Sequence, residues 1–492
     1  MLTARPDKGR PRPAAARWPV LHALDGAAVA FFLAAMGWLG VVYLRMVVSP
    51  APQEMREGAI VLSTLALLEG RNPYAADIAA VAGNLYGILY PLLVAPAAAL
   101  FGPGLETHRA VNGLFLAIAA LCVFRAARDC GAERLTALLA ALLAAAGWLY
   151  WVGPTVRPDG VGLAAMLGGL LIAARDPASP RRFAAVLALS CAGFAAKLYF
   201  AGGVFIVAAY VFLAVSWRRG VVFGLAAIAA LALWAGLLSL ALPRWAALVL
   251  FANVGAAGYD PLHLLRQGLD WAVFSLPLLA PLAVLAATAP RTLIAGRVGF
   301  WGFAALCGLA VLIVSLGGHT GAHMTYFFHL LTPPLAIAVA ASASASAAAR
   351  RALTLALPAA VVLNAHWFVL DPERFAVAEA RFALAEAALA EAAAPLVTTE
   401  FAALAGLAGH APVETGHSEY TLDEAGREAL RAALAALLAD GAFDIAIVNR
   451  NNGGIVHARD VAAAGYVPVA NLPVELVWAS QAWEADIWLP PR

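Results

Sequence analysis

Charge is scarce in this chain: only 13% of its 492 residues are charged, against 63% hydrophobic. Soluble domains carry about 25% charged residues, so a freely soluble globular protein is excluded. Cysteine is scarcer still. Cys122, Cys130, Cys191 and Cys307 form no CxxC pair and lie in or beside apolar runs. That pattern argues against a disulfide framework or a cysteine zinc site and leaves them as small hydrophobes in packed helices. The C-terminal part has neither GxGxxG nor a Walker sequence, so no nucleotide site is indicated. No basic stripe marks a nucleic-acid surface, and a net charge of +2 selects no partner.

What is abundant is apolar sequence, with a mean hydropathy of +0.81. About twenty apolar residues cross the hydrocarbon core as a helix. Segments of this kind lie near 24–48, 86–101, 109–126, 135–153, 159–175, 183–200, 201–217, 220–242, 271–288, 297–316, 326–342 and 351–369. Backbone groups cannot stay unpaired in lipid, so these segments are expected to be helices. The first is too long for a signal-peptide core and lacks a convincing cleavage site. It follows the basic residues Arg5, Lys8, Arg10, Arg12 and Arg17, which by the positive-inside rule keep the N-terminus in the cytoplasm.

The arginine-rich loops 125–134, 175–182, 217–219, 291–297 and 350–351 are likewise expected inside, and residues 156–159, 197–199, 244–270 and 317–326 outside. A tail leaving outward requires an odd number of crossings. A half-crossing in 86–101, which contains Pro91 and Pro96, meets that requirement; a single crossing across 183–217 or an additional span would meet it as well. The expected architecture is an α-helical polytopic membrane protein with about 11–13 transmembrane helices. Residues 1–23 form a cytoplasmic basic N-terminus, 24–370 the membrane domain with its first external loop at 49–85, and 371–492 a small periplasmic α/β domain. The alanine-rich composition suggests a bacterial plasma (inner) membrane.

In the tail, 373–393 reads as an amphipathic helix and 395–399 as a strand. Helices follow near 401–408 and 423–438, then a strand at 443–448. Alternating strands and helices predict a parallel sheet.

The first loop carries Glu54-Met55-Arg56-Glu57-Gly58. Glu54 and Glu57, three apart, share a helical face, and solvated boundary acids are the plain alternative. Residues 59–68 are apolar but too short to span, and are expected to lie along the interface. Trp148 to Trp151 reads as an aromatic anchor at that interface.

This combination resembles the polytopic GT-C glycosyltransferases that use polyprenyl-phosphate-linked sugars, in the bacterial branch related to protein O-mannosyltransferases and lipid A aminoarabinose transferases. The resemblance rests on Glu54-Met55-Arg56-Glu57-Gly58, Leu67-Leu68-Glu69-Gly70-Arg71-Asn72-Pro73-Tyr74, and Tyr90-Pro91-Leu92 with Leu100-Phe101-Gly102-Pro103. Arg157-Pro158-Asp159, Ala196-Lys197 and the tail pattern Thr398-Thr399-Glu400 with residues 441–448 complete it.

The resemblance implies transfer of a sugar from a polyprenyl-phosphate donor to a glycan, lipid or protein acceptor of the cell envelope, by one inverting displacement. An acid of the first external loop would be the base or a metal ligand. The family commonly has aspartate there, whereas this chain offers Glu54 and Glu57; the acid-glycine step favours Glu57. A divalent metal ion is an admissible cofactor. The donor phosphate and substrate candidates are Arg56, Arg157, Asp159, Lys197, Tyr90, His319, His323 and Tyr326, with Arg244 and Arg266 as further outer cations. For Arg157 and Asp159 the alternative is helix capping with a local ion pair. Lys197 stands between apolar runs, where an unpaired charge is costly. His319 and His323 flank glycines, so metal ligation, a cavity-lining loop and an inert loop all remain open. A transporter or flippase for a lipid-linked or small polar solute is the alternative function, although no internal repeat supports it. A silent scaffold binding lipid or partner proteins is a third.

Overall fold

The computed structural model describes residues 23–54, 56–75, 84–151, 155–252, 258–319, 324–365, 372–398, 401–413, 424–449, 455–475 and 482–491. The basic residues Arg5 to Arg17, the Thr399-Glu400 step and His323 lie outside the described residues.

Among the described residues, each apolar segment expected from the sequence contains a helix. The helices of the membrane part are α1 Ala23–Val47, α2 Glu57–Leu68, α3 Leu89–Phe101, α4 Leu105–Asp129, α5 Arg134–Trp151, α6 Asp159–Ala173, α7 Pro180–Ala196 and α8 Gly202–Ala214. They continue with α9 Trp217–Ala241, α10 Pro261–Phe274, α11 Leu276–Thr288, α12 Pro290–Ile294, α13 Gly296–Val314, α14 Thr325–Leu330, α15 Thr332–Ala345 and α16 Ala347–Leu363. Starts are encoded locally. Ser179 and Asp260 accept the N–H groups of Arg182 and Leu262, and each is followed by a proline in the first turn, where no donor is needed.

Among the described residues, Leu24–Val47, Leu105–Asp129, Trp217–Ala241 and Gly296–Val314 are long and apolar enough to cross a membrane. The pair α10 and α11, bent by 86°, makes a fifth if it is counted as one span. Other apolar helices are shorter. With 13 residues and Pro96 inside it, α3 is about 20 Å long, less than a hydrocarbon core of about 30 Å. The segment 326–342 is divided at Leu331, where Pro333 and Pro334 open α15 and cannot continue the preceding helix. A second break falls at Lys197, whose extended backbone (φ −159°, ψ 129°) ends α7.

The charged loops sort onto two faces. On one, Asp129 pairs with Arg125 at 3.1 Å and Arg175 at 3.0 Å, and Arg297 donates to its carbonyl at 3.0 Å. Arg350 meets Glu133 at 3.4 Å on this face. The first loop, the start of α6 and the break at Lys197 gather elsewhere, beside the tail. At Trp148 the reading as an interface anchor fails. The side chain is fully buried and donates its indole N–H to the Phe328 carbonyl at 3.0 Å.

The tail holds α17 Pro372–Glu391, β1 Pro395–Val397, α18 Ala402–Leu407, α19 Glu424–Ala439, β2 Ile445–Asn449, α20 Ala458–Ala463, β3 Val467–Glu475 and β4 Ala482–Leu489. The sheet order is β1-β2-β4-β3. Only β1 and β2 run parallel; β4 pairs antiparallel with both β2 and β3. The expectation of a parallel sheet therefore fails at β3 and β4. Residues 476–481 between them are too few for the crossover that parallel pairing needs. Successive residues of β2 serve opposite faces: Ile445 and Ile447 pack with Phe382 and Leu389 of α17, and Ala446 and Val448 with Leu434 and Leu438 of α19.

One backbone contact places an aromatic ring at the site. Gly87 donates its N–H to the Ala196 carbonyl at 3.0 Å, and a Cβ there would lie 2.0 Å from the Ala195 oxygen. Tyr86 is thereby set beside the break at Lys197. Gly87→Ala should cost about 1–3 kcal/mol through forced backbone movement, read as a lower unfolding temperature in detergent; an unchanged temperature would show that the segment can shift freely.

Candidate functional site

The two glutamates of the first loop have separate fates. Glu57 begins α2 with no exposed surface. Its Oε1 accepts from Arg109 Nε at 3.1 Å and Val156 N–H at 2.8 Å. Its Oε2 accepts from Arg109 Nη2 at 2.9 Å, Gln53 N–H at 2.6 Å and Glu54 N–H at 3.4 Å. Arg109, equally buried, spends its other donors on the carbonyls of Met46 (3.1 Å), Ser49 (2.6 Å) and Ala51 (2.7 Å). A fully satisfied ion pair of this kind is a scaffold, and no lone pair of Glu57 is left for an incoming proton.

Glu54 retains 13% side-chain exposure. Its carboxylate is gripped in a fork by Arg157, at 2.6 Å to Nη2 and 3.3 Å to Nε, a geometry that fixes orientation as well as charge. Arg56 stands 3.6 Å away on the same oxygen. Burial pushes Arg157 toward its neutral form, but the adjacent Glu54 carboxylate more than reverses this, and its pKa lies well above the ordinary arginine value.

Beneath this pair lies a second cluster. The ammonium of Lys197, buried at the helix break, meets Asp159 Oδ1 at 3.0 Å. It also stands 4.9, 5.3 and 5.6 Å from the ring centroids of Tyr86, Tyr199 and Tyr326. Three electron-rich ring faces favour a cation held there. Tyr199 donates to the same Asp159 oxygen at 3.1 Å and lies 2.6 Å from His329 Nδ1. Having given its single proton to Asp159, the Tyr199 oxygen accepts from His329 Nδ1–H, which assigns the histidine tautomer. Asp159 Oδ2 and His329 Nε2 are buried acceptors with no hydrogen-bond partner among the described residues.

The structure thus brings Glu54, Arg56, Arg157, Asp159, Lys197 and Tyr326 into one neighbourhood. Arg157 and Asp159 do not pair with each other; each holds a residue from a distant segment. Tyr90 is fully buried and donates to the His108 carbonyl at 2.5 Å, a packing position. His319 pairs with Tyr259 through the backbone, while Arg244 and Arg266 are exposed without ion pairs among the described residues. No three His, Cys, Asp or Glu side chains among the described residues converge to hold a metal ion.

Sequence reasoning missed Tyr86, Tyr199, His329 and Arg109. A faint signal existed for His329: it lies three residues after Tyr326 on α14, hence on the same face. Arg109 gave none, because it stands in the polar first turns of α4 and its partner is 52 positions away.

Neither a family model nor a curated protein matches the sequence. Nine chains among the solved structures do. ArnT from Cupriavidus metallidurans in the apo state is 14% identical, with a TM-score of 0.59 over 94% of this chain and 98% of that one. ArnT from the same organism bound to undecaprenyl phosphate is 15% identical, with a TM-score of 0.60 over 94% and 97%. The chain shares the fold of these two ArnT structures.

The different surroundings of the two acids yield a direct test. Glu57→Gln or Arg109→Met leaves one buried charge unpaired and should cost about 3–5 kcal/mol, read as loss of folded protein on size exclusion in detergent. Glu54→Gln should fold as the wild type does. The reverse pattern would exchange their roles.

Proposed function

We propose that this protein is a membrane glycosyltransferase that moves a sugar from a polyprenyl-phosphate donor to an extracytoplasmic glycan, lipid or protein by a single inverting displacement. The carrying observation is the pairing of a partly exposed, arginine-held carboxylate, Glu54, with a lysine set among three tyrosines one layer deeper. A chain with the same fold binds undecaprenyl phosphate, which supports a polyprenyl lipid as partner. The N-terminus would lie in the cytoplasm, and the first loop and the tail outside.

In this reading Glu54 is the base. It takes the proton of an acceptor hydroxyl as that oxygen attacks the anomeric carbon. The bond from that carbon to the phosphate oxygen breaks, and its electron pair leaves with the polyprenyl phosphate. Lys197 and Arg157 neutralise the departing phosphate; fixed cations in a site shielded from water are effective in this role. Arg109 takes no part, since all its donors are spent within the fold. Glu57, on this proposal, holds the loop and Glu54 does the chemistry. The described acids and histidines do not form a metal site by themselves, so no step is assigned to a metal.

The reading is tested with purified protein in liposomes, labelled polyprenyl-phosphate sugars and a membrane-glycan acceptor fraction. Glu54→Gln should lower transfer by about 10²–10⁴-fold while undecaprenyl phosphate still binds. Lys197→Met should weaken donor binding first. Chelator should leave transfer intact; loss of transfer would return a metal to the site. A wild-type protein that transfers no sugar from any donor in the set would overturn the proposal.

A further inference from the structure

The first loop is built into two domains at once. Ala51 is buried in the tail's apolar core, in one cluster with Phe382, Val397, Phe401 and Leu404, while its carbonyl lies in the Arg109 fork at 2.7 Å. Seven residues later, Gly58 lies against α18: a Cβ there would be 2.7 Å from Ala402 Cβ and 2.9 Å from the Ala403 nitrogen. One turn further along, Gly406 meets Leu62, with a Cβ placed 2.6 Å from its Cδ2. Thus α2 and α18 run side by side with almost no space between their backbones. Glu54 lies between these two attachments.

We infer that the tail is a positioning element for Glu54, so that docking of α18 on α2 sets the acid's placement and links the tail's state to the rate of transfer. The inference rests on Glu54 acting as the acceptor-side base. The contacts argue for it over a merely stabilising tail. The Lys197 cluster draws on α6, α7 and α14 and on Tyr86 and Tyr199, with no tail residue in it. Arg157 touches both the acid and, on the reading above, the departing phosphate, but the Lys197 contact that comes first in donor binding depends on no tail residue. Displacing α18 should disturb acid placement and spare that contact.

Gly406→Val adds bulk where Leu62 now sits, and Leu62→Ala vacates that space. The full-length single variant should lose turnover by about 10²-fold, the scale of an ångström misplacement, with undecaprenyl phosphate affinity unchanged. The double variant should recover most of the loss, which a general folding defect would not. A readout free of catalysis accompanies this: in a background lacking the four native cysteines, Glu54→Cys is labelled with a water-soluble thiol reagent. Gly406→Val should change the labelling rate and Leu62→Ala restore it, whether or not the protein transfers sugar. Unchanged labelling, or donor affinity falling together with turnover, would overturn the inference. Restored labelling, alongside a wild-type protein that transfers no sugar, would instead sink the glycosyltransferase reading.

Discussion

The buried pair of Glu57 and Arg109 organises everything near the site. Two ions removed from water are tolerated only when every donor and lone pair is used. Here that condition recruits the end of α1 through Met46, the first loop through Ser49 and Ala51, the start of α2, and Val156 ahead of α6. A requirement of electrostatics thereby becomes a requirement of geometry. Segments far apart in sequence must meet at one point, and a structure lacking any of them leaves a bare charge in an apolar interior.

The same rule operates one layer away, but incompletely. The cluster of Asp159, Lys197, Tyr199 and His329 has a fully buried centre in Asp159 and His329, yet among the described residues it gathers its donors on one carboxylate oxygen and leaves the other unmet. A buried acceptor without a donor costs about 1–3 kcal/mol. The scaffold pair is closed and finished. The deeper cluster is held together and still has capacity, which is the character of a place that receives something.

Helices and site differ in how much of them could be read from the sequence. Apolar runs announce themselves, and starts such as Ser179-Pro180 and Asp260-Pro261 carry their caps beside them, so the membrane part was largely legible. The strand at 443–448 and the helix at 423–438 emerged within two residues of their observed bounds. Strands β3 and β4 did not, because Pro468 and Pro473 interrupt the first and proline demotes a strand signal. Within the site, the residue types were visible and their partners were not. Lys197 read as a lone charge because Asp159 lies 38 positions away. The two glutamates read as equals because what separates them is Arg109, contributed by another helix.

The prolines that hid β3 have a bearing on how copies of the molecule coexist. At one side of the sheet is β1, three residues long; at the other is β3, with Pro468 and Pro473 within it and Val467 and Val469 exposed. Molecules anchored in one bilayer meet repeatedly at the same height and in the same orientation, which is the arrangement most conducive to strands zipping edge to edge. A stub on one margin and missing amide hydrogens on the other deny a neighbouring tail a continuous ladder. Crowded in a sheet of lipid, these proteins can collide without joining.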